Sequence, residues 1–273
     1  MAKQTGIIAL RGKIKGQSYY GSKVGGDLVR TINEGMSARV KSSQEYANTR
    51  KNNAEFGMCG DFAGAIIKPI TQRWRFILDS IATGKMVKAM KELAVLDTAG
   101  EWGKRVVKLA NYGTIYEKFN SFSKNEMPTE IVNALAKGVT LNNEGTAILL
   151  ESTGVQTAEF VSQMQAIGAD KYTAAVYALY VEKPVYDAVA GVYTKASSNL
   201  VYSETISAAA EDVNLNSDIF AGDSFPVTLS PVNTESKFAG LLTIFMPMRT
   251  IGNKSSILQQ HCSAYLVPVS AAE

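Results

Sequence analysis

The chain has 273 residues, of which 46% are hydrophobic and 19% are charged, and its net charge is +3. These proportions are typical of a globular protein of one large or two modest domains, and they exclude a fibrous or wholly disordered class. Two cysteines, Cys59 and Cys262, are too few for a disulfide framework, so we expect either buried free thiols or a single bridge between them.

Positive charge is concentrated in the first half of the chain. Residues 1–140 hold 22 Lys and Arg against 12 Asp and Glu, whereas residues 141–273 hold 6 against 13. One interpretation is that a lysine-rich helical part is joined to a polar β-rich part. The other is that a basic front and an acidic back attract one another when copies stack.

The first predicted elements are short strands separated by glycines. They cover residues 6–10, 13–15, 18–20 and 27–31, with turns at Gly12, Gly16, Gly21 and Gly25-Gly26. A sheet of this size cannot bury much apolar surface alone. We therefore expect it to dock on the following helices or on a neighbouring subunit.

A helical period follows from about residue 43 to residue 120. Ser42 or Ser43 is a candidate N-cap for a short helix that ends at Asn52, and a longer helix follows in which Pro69 predicts a kink or a break. The apolar positions of this longer helix are Phe62, Ala65, Ile66, Ile70, Trp74, Ile77 and Leu78. A third stripe contains Met86, Val87, Met90, Leu93 and Ala94, and a fourth contains Trp102, Val106, Leu109 and Ala110.

Beyond residue 139 the pattern is typical of β-structure. The predicted strands cover residues 146–151, 160–165, 172–181, 191–194, 200–206, 227–229, 238–248 and 263–269. Their number and spacing favour an antiparallel β-sandwich of jelly-roll or immunoglobulin-like type. We therefore expect an α+β protein with a basic β-hairpin and helical domain at 1–138 and an acidic β-sandwich domain at 139–273.

Lys and Arg are spread through residues 1–20 without an unbroken apolar run, which is unlike a signal peptide. Apolar runs are also far shorter than the ~20 residues of a membrane-spanning helix. We expect a chain that is made and folded in a cytoplasm without a membrane partner.

The residue types that carry catalysis form no recognisable set. His261, the single histidine, is adjacent to Cys262 in a predicted strand, where neighbouring side chains point to opposite faces. Residues 83–86 faintly resemble a phosphate-binding loop, but Asp79 stands in place of the first glycine and Met86 in place of Ser or Thr. We expect a protein without enzymatic activity, cofactor or metal site.

The basic N-terminal part contains the candidate contact residues. They are Arg11, Lys13, Lys15, Tyr19, Tyr20, Arg30, Arg50 and Lys51. Cations beside aromatic rings can hold nucleic acid, yet the alternation with apolar residues also fits a solvated strand face that meets an acidic protein partner. Protein contact is the favoured interpretation, and nucleic-acid binding stays open.

Two motifs carry a resemblance to a known family. Residues 1–8 (MAKQTGII), Gly12-Lys13-Ile14, Gly16 and Tyr19-Tyr20 are followed by residues 48–57, NTRKNNAEFG. This arrangement resembles a structural protein family of phages and prophages of Bacteroidota, in which a TGII-type hairpin precedes a helix with an EFG-type motif. Here Asn48 stands where the family usually has Arg, and Lys15 replaces a hairpin glycine.

The resemblance is carried by residues 1–60 and extends weakly to about residue 120. It implies a virion structural protein, associated with the capsid or tail, that is assembled in the bacterial host. Its partners would be copies of itself and other virion proteins. The alternatives are a β-sandwich that binds a host-surface glycan or a partner protein, and a nucleic-acid-associated protein.

Overall fold

The computed structural model describes residues 2–4, 9–22, 26–32, 35–129, 132, 139–141, 147–150, 158–209, 224–226, 237–268 and 270–271. Within them, α-helices are combined with mostly antiparallel sheets, so the predicted α+β class is confirmed. The chain divides into two compact units, Met1–Asn53 and Ala54–Glu273. The expected boundary between residues 138 and 139 falls inside the second unit.

The first unit contains a four-stranded antiparallel sheet in the order β1-β4-β3-β2. Its strands are β1 (Ala2–Lys3), β2 (Gly12–Ile14), β3 (Gln17–Ser22) and β4 (Gly26–Thr31). The strands expected at 18–20 and 27–31 are confirmed, and most of the one expected at 6–10 lies outside the described residues, as does Gly25. The strand predicted at 13–15 is shifted by one residue, because Lys15 belongs to the turn.

A short helical corner follows the sheet. Helix α1 (Met36–Ser42) is followed by a 3₁₀ turn (Gln44–Tyr46), and helix α2 (Ala47–Arg73) begins directly after it. Ser43 precedes the 3₁₀ turn but makes no capping hydrogen bond through its side chain. The prediction of a separate short helix ending at Asn52 is therefore wrong: α2 is continuous and contains Pro69. Burial of one face from Glu55 onward outweighs the weak helix propensity of the Asn residues.

The second unit continues with three more described helices and the remaining strands. The helices are α3 (Ala82–Val95), α4 (Tyr112–Asn120) and α5 (Ala158–Ala166), with 3₁₀ turns at Leu109–Asn111 and Gln259–His261. The strands are β5 (Val139–Leu141), β6 (Ala147–Leu150), β7 (Lys171–Glu182), β8 (Tyr186–Asp187), β9 (Val192–Tyr193), β10 (Ser197–Ala209), β11 (Ser224–Pro226), β12 (Lys237–Ile251), β13 (Lys254–Ile257), β14 (Ser263–Pro268) and β15 (Ser270–Ala271).

The main sheet of this unit is antiparallel and is built on two long strands. Strand β12 pairs with β7 over most of its length on one side and with β13 and β14 on the other, and β10 completes the sheet beside β7. A second sheet has the order β11-β6-β5-β15 and includes one parallel pair, β15 with β5.

One hydrophobic core joins the helices to one face of the main sheet. Alternate residues of β7, β12 and β14 point to the same side and belong to a cluster with the buried faces of α2, α3 and α4. Phe238 lies within it: its ring centroid is 6.1 Å from that of Phe62, 5.3 Å from Tyr112 and 4.7 Å from Tyr116. The third predicted stripe, on α3, is confirmed as a core face.

The outer edge of β14 is occupied by the segment at the end of α4. Asn120 accepts a hydrogen bond from the Leu266 N–H at 2.7 Å and donates one to the Leu266 carbonyl at 3.0 Å. The Ser123 hydroxyl accepts from the Ala264 N–H at 3.0 Å. Side chains therefore satisfy backbone groups that an edge strand would otherwise expose.

Two further predictions are wrong. Residues 160–165 lie in helix α5, because Ala, Glu, Gln and Met favour a helix, and Met164 is buried there. Residues 102–108 form no helix; only Leu109–Asn111 make a 3₁₀ turn before α4. The strand expected at 227–229 lies outside the described residues, whereas 172–181, 200–206, 238–248 and most of 263–269 are strands.

Candidate interaction surface

The pairing register of the N-terminal sheet separates its side chains into two faces. Residues that pair across strands point to the same side, and successive residues of a strand point to opposite sides. We call one side the Arg30 face; it carries Lys3, Lys13, Ser18, Tyr20, Leu28 and Arg30. We call the other side the Tyr19 face; it carries Ala2, Ile14, Gln17, Tyr19, Gly21, Asp27, Val29 and Thr31.

The Arg30 face is basic. The Arg30 guanidinium lies 5.7 Å from the centroid of the Tyr20 ring, in a cation–π arrangement. Lys13 and Arg30 lie on either side of Ser18, on the two neighbouring strands. These two cations and Lys3 are all exposed. On the described strands this face carries no acidic residue. The described strands therefore place three cations on the same face as an aromatic ring, with no acidic residue of those strands among them.

The Tyr19 face has two adjacent half-buried side chains at its centre, Tyr19 and Val29 on neighbouring strands. Ile14, 42% exposed, lies at the end of the edge strand β2, in the row of Gln17 and Thr31. The Arg11 guanidinium forms an ion pair with Asp27 at 2.5 Å and lies over Gly21, where a Cβ would come within 2.8 Å of Arg11 Nη2. The absence of a side chain at position 21 therefore allows Arg11 to lie against the sheet and to neutralise Asp27.

Lys15 and Gly16 connect β2 to β3 as a two-residue hairpin loop. Ile14 pairs with Gln17, and the φ angles of Lys15 and Gly16 are 45° and 75°. Positive φ at both central residues is the requirement of a type I′ turn. Lys15 thus forms the hairpin loop with Gly16 while adopting a left-handed backbone conformation.

The remaining two candidate residues lie outside the sheet. The Arg50 guanidinium donates to the carbonyl of Val40 at 2.9 Å and to that of Ser43 at 2.7 Å, at the C-terminal end of α1. Arg50 therefore satisfies carbonyls that the helix end leaves open. Lys51 is exposed on the first turns of α2. The structure thus brings Lys13, Tyr20 and Arg30 together and gives Arg50 a structural contact.

Glu55, the acid of the NTRKNNAEFG motif, holds together part of the second unit. Its carboxylate is fully buried, contacts the Lys91 ammonium, and accepts hydrogen bonds from Arg105 Nε and the Gly103 N–H, both at 2.8 Å. The Tyr193 hydroxyl donates to the Arg105 carbonyl at 2.9 Å. Through Glu55, helix α2 is tied to α3 and to the irregular segment before α4.

Two buried carboxylates of this region stay ionised. Burial alone would raise the pKa of Glu55, but hydrogen bonds from Lys91, the Gly103 N–H and Arg105 outweigh it and hold that pKa below its usual 4.5. The pKa of Asp97 is likewise lowered, against the effect of burial, by Lys108 and by the N–H groups of Val106 and Gly100. Several partners of the two carboxylates lie within residues 101–108. These contacts explain why the segment holds an irregular shape without a helix.

Sequence reasoning did not identify Ile14, Val29 or Glu55. The first two were missed because a face emerges only from the register, which the turn at Lys15-Gly16 fixes. A sequence signal for Glu55 was present. Glu55 precedes Met58, Cys59 and Phe62 by three, four and seven residues, so in a helix it lies on the same apolar stripe as they do.

Both cysteines are free and buried. Burial raises the pKa of Cys59 to about 11 and that of Cys262 to about 12.

Among the described residues, no group of three or more His, Cys, Asp or Glu is placed to hold a metal ion. In the same part of the chain, none of the helices combines the length and the apolar character needed to cross a membrane.

The chain matches no protein-family model, and comparison with curated proteins found no match. The resemblance carried by residues 1–60 therefore stays a prediction.

Proposed function

We propose that this chain is a non-enzymatic structural protein of a bacteriophage virion, associated with the capsid or tail. It acts through contacts with copies of itself and with other virion proteins. The observation that carries the proposal is the state of the first unit: none of its described residues, at 2–4, 9–22, 26–32 and 35–53, is buried.

A sheet whose described residues include none that is buried is suited to binding a partner. Fixing the backbone costs about 1–2 kcal/mol per residue, and a small sheet recovers this only when a face packs on something apolar. Residues 1–53 carry 10 Lys and Arg but 3 Asp and Glu, so an acidic partner surface would be attracted to them. We propose that the first unit attaches the chain within the particle.

Two further statements about residues 139–273 stay predictions. One is that they form a jelly-roll or immunoglobulin-like sandwich, and the other is that this sandwich recognises a glycan. Nucleic-acid contact is the second candidate function, because Arg30 lies over the Tyr20 ring with Lys3 and Lys13 on the same face. A DNA affinity that falls steeply with salt would support it, and an affinity independent of salt would count against it.

The proposal is tested on purified particles of the phage or prophage that encodes the chain. We expect mass spectrometry to detect the chain after gradient purification and nuclease treatment, at a constant ratio to the major capsid protein across the particle peak. An abundant host enzyme serves as the control for contamination. A chain that follows the host enzyme instead of the capsid protein would contradict the proposal.

A further inference from the structure

We infer that the second unit binds an N-acetylated sugar in two adjoining cavities, where the segment after α4 meets strand β14 and helix α5. We call them the polar cleft, of about 490 Å³, and the apolar pocket, of about 160 Å³. Asn125 and Glu126 line both, so a single ligand can occupy the two together. The cleft alone falls within the ~300–1,000 Å³ of small-molecule sites. This binding goes beyond the structural role and does not depend on it.

The backbone that carries this site is held from two sides. On one side, Asn125 Nδ2 donates to the Cys262 carbonyl at 2.7 Å, which continues the row of side-chain contacts along the edge of β14. On the other side, the Lys124 N–H donates to the Ile77 carbonyl at 3.0 Å. The segment can therefore meet a ligand in the shape that it already has, and binding has little backbone to order.

The polar cleft offers both donors and acceptors of hydrogen bonds. Its lining includes Lys124, Glu126 and Tyr265, which supply an ammonium, a carboxylate and a phenol hydroxyl. Among the described residues, these three side chains have no hydrogen-bond or ion-pair partner. With one cation and one anion, the cleft favours a neutral ligand over a polyanion or a polycation. Sugar hydroxyls fit it, because each of them both donates and accepts.

The apolar pocket adjoins the cleft and has a buried floor. Besides Asn125 and Glu126, it is lined by Pro128, Gln163, Met164, Ile167, Phe245 and His261. Met164 and Phe245 are each 2% exposed, so a hydroxyl placed against them would lose its contacts with water. A small apolar group, such as a methyl group, suits this floor.

The class of ligand follows from the two cavities together. The ring of an N-acetylated sugar places hydroxyls in the polar cleft, and its acetyl group places a methyl group in the apolar pocket. Glu126 lines both cavities, so its carboxylate can accept a hydrogen bond from the amide N–H between ring and acetyl group. A sugar without the acetamido group leaves the pocket unfilled, and an anionic ligand brings its charge towards the Glu126 carboxylate.

Saturation-transfer NMR on the purified full chain tests the inference. The probes are N-acetylglucosamine and N-acetylgalactosamine, and glucose and galactose are their matched controls without the acetamido group. We expect at least one acetylated sugar to bind about tenfold more tightly than its control, because it buries a methyl group and adds an amide hydrogen bond. The strongest saturation transfer should be at the acetyl methyl group. No transfer to any of the four sugars, or equal binding of the acetylated and plain sugars, would overturn the inference.

A pair of variants locates the binding. Glu126→Gln should weaken binding of the acetylated sugar about fivefold or more, because the amide N–H loses a charged acceptor. Glu117→Gln, at an exposed position of α4 outside both cavities, is the matched control and should leave binding unchanged. Far-ultraviolet circular dichroism confirms that both variants are folded. Binding that is equal in the two variants would refute this site. Since the experiment needs no particles, its failure leaves the proposed virion role standing.

Discussion

Lys15 is the one non-glycine residue with positive φ in the described part of the chain. The left-handed region costs an L-residue with an ordinary side chain about 1–2 kcal/mol, and Asn tolerates it better. Asn-Gly is also the preferred pair for a type I′ hairpin. The hairpin of β2 and β3 is therefore under a small strain that a single substitution can relieve.

We expect Lys15→Asn to stabilise the hairpin by about 0.5–1 kcal/mol. The measurement is native-state hydrogen exchange at the amides of β2 and β3, which should exchange two- to fivefold more slowly. Lys13→Asn removes the same charge from a strand position and should give no such protection. Faster exchange in the Lys15→Asn chain would contradict the turn assignment.

Glu55 illustrates how one buried charge can organise a region. Its partners, Lys91 and Arg105, come from separate segments, and a third partner is a backbone N–H. Since the folded chain lowers the pKa of Glu55, the unfolded chain takes up the proton first as the pH falls. Its contribution to stability is complete above pH 4.5 and is lost as the pH falls through the lower, folded value.

Glu55→Gln should lower the free energy of unfolding at neutral pH by about 2–4 kcal/mol, because Lys91 and Arg105 lose a buried carboxylate. The same substitution should flatten the acid side of the stability profile, which urea unfolding between pH 7 and pH 3 measures. Glu101→Gln, which removes an exposed ion pair with Lys104, is the matched control and should change stability by less than about 1 kcal/mol. An unchanged acid slope in Glu55→Gln would refute the role assigned to Glu55.

At the scale of elements, the core depends on the contact between strand β12 and the helices. Phe238 is fully buried and packs on rings from α2 and α4. Gly240, two residues along the same face, has no room for a Cβ, which would lie 2.9 Å from Leu266 Cδ1. This face of β12 is therefore closely packed.

Phe238→Ala should lower the free energy of unfolding by about 3–5 kcal/mol, because it leaves a cavity between the strand and the helices. Chemical denaturation monitored by tryptophan fluorescence measures the change. Val189→Ala, at a position that is 99% exposed, is the control and should leave stability within about 0.5 kcal/mol. A loss below about 1 kcal/mol for Phe238→Ala would contradict a shared core.

Strands β7 and β12 and helix α3 were predictable from the sequence, whereas the extent of helix α2 and several shorter segments were not. Strands β7 and β12 carry runs rich in Val, Tyr, Ile and Phe, and helix α3 has a clear apolar stripe, so pattern alone identified them. Residues 160–165 and 102–110 were misassigned because tertiary contacts determine their secondary structure. Met164 lies in a helix and is buried, and Gly103 and Arg105 donate hydrogen bonds to Glu55.

The candidate surface was predictable only in part. The sequence identified the cations and tyrosines of the N-terminal hairpin, but it could not separate Tyr19 from Tyr20. One step along a strand reverses the face, and the register that fixes it depends on a turn with positive φ at a lysine. Arg50 was grouped with them by charge, although its carbonyl contacts are local.

At the scale of the whole molecule, burial and charge are unevenly divided. The core is formed by residues of the second unit, and the described part of the first unit has none of it. The first unit carries 10 Lys and Arg against 3 Asp and Glu, whereas the rest of the sequence carries 18 against 22. This division supports the proposal that the chain assembles with partners, because a partner would supply apolar cover and negative charge to a unit that is basic and, in its described part, unburied.

Counting the chain in purified particles tests this account most directly. Quantitative mass spectrometry with isotope-labelled peptides, referred to the major capsid protein, gives the number of copies per particle. We predict a fixed number greater than one, which stays with the particles through salt washing and is released when they are disrupted. Particles that lack the chain, or that lose it completely in a mild salt wash, would contradict the claim that it works as a component of the virion.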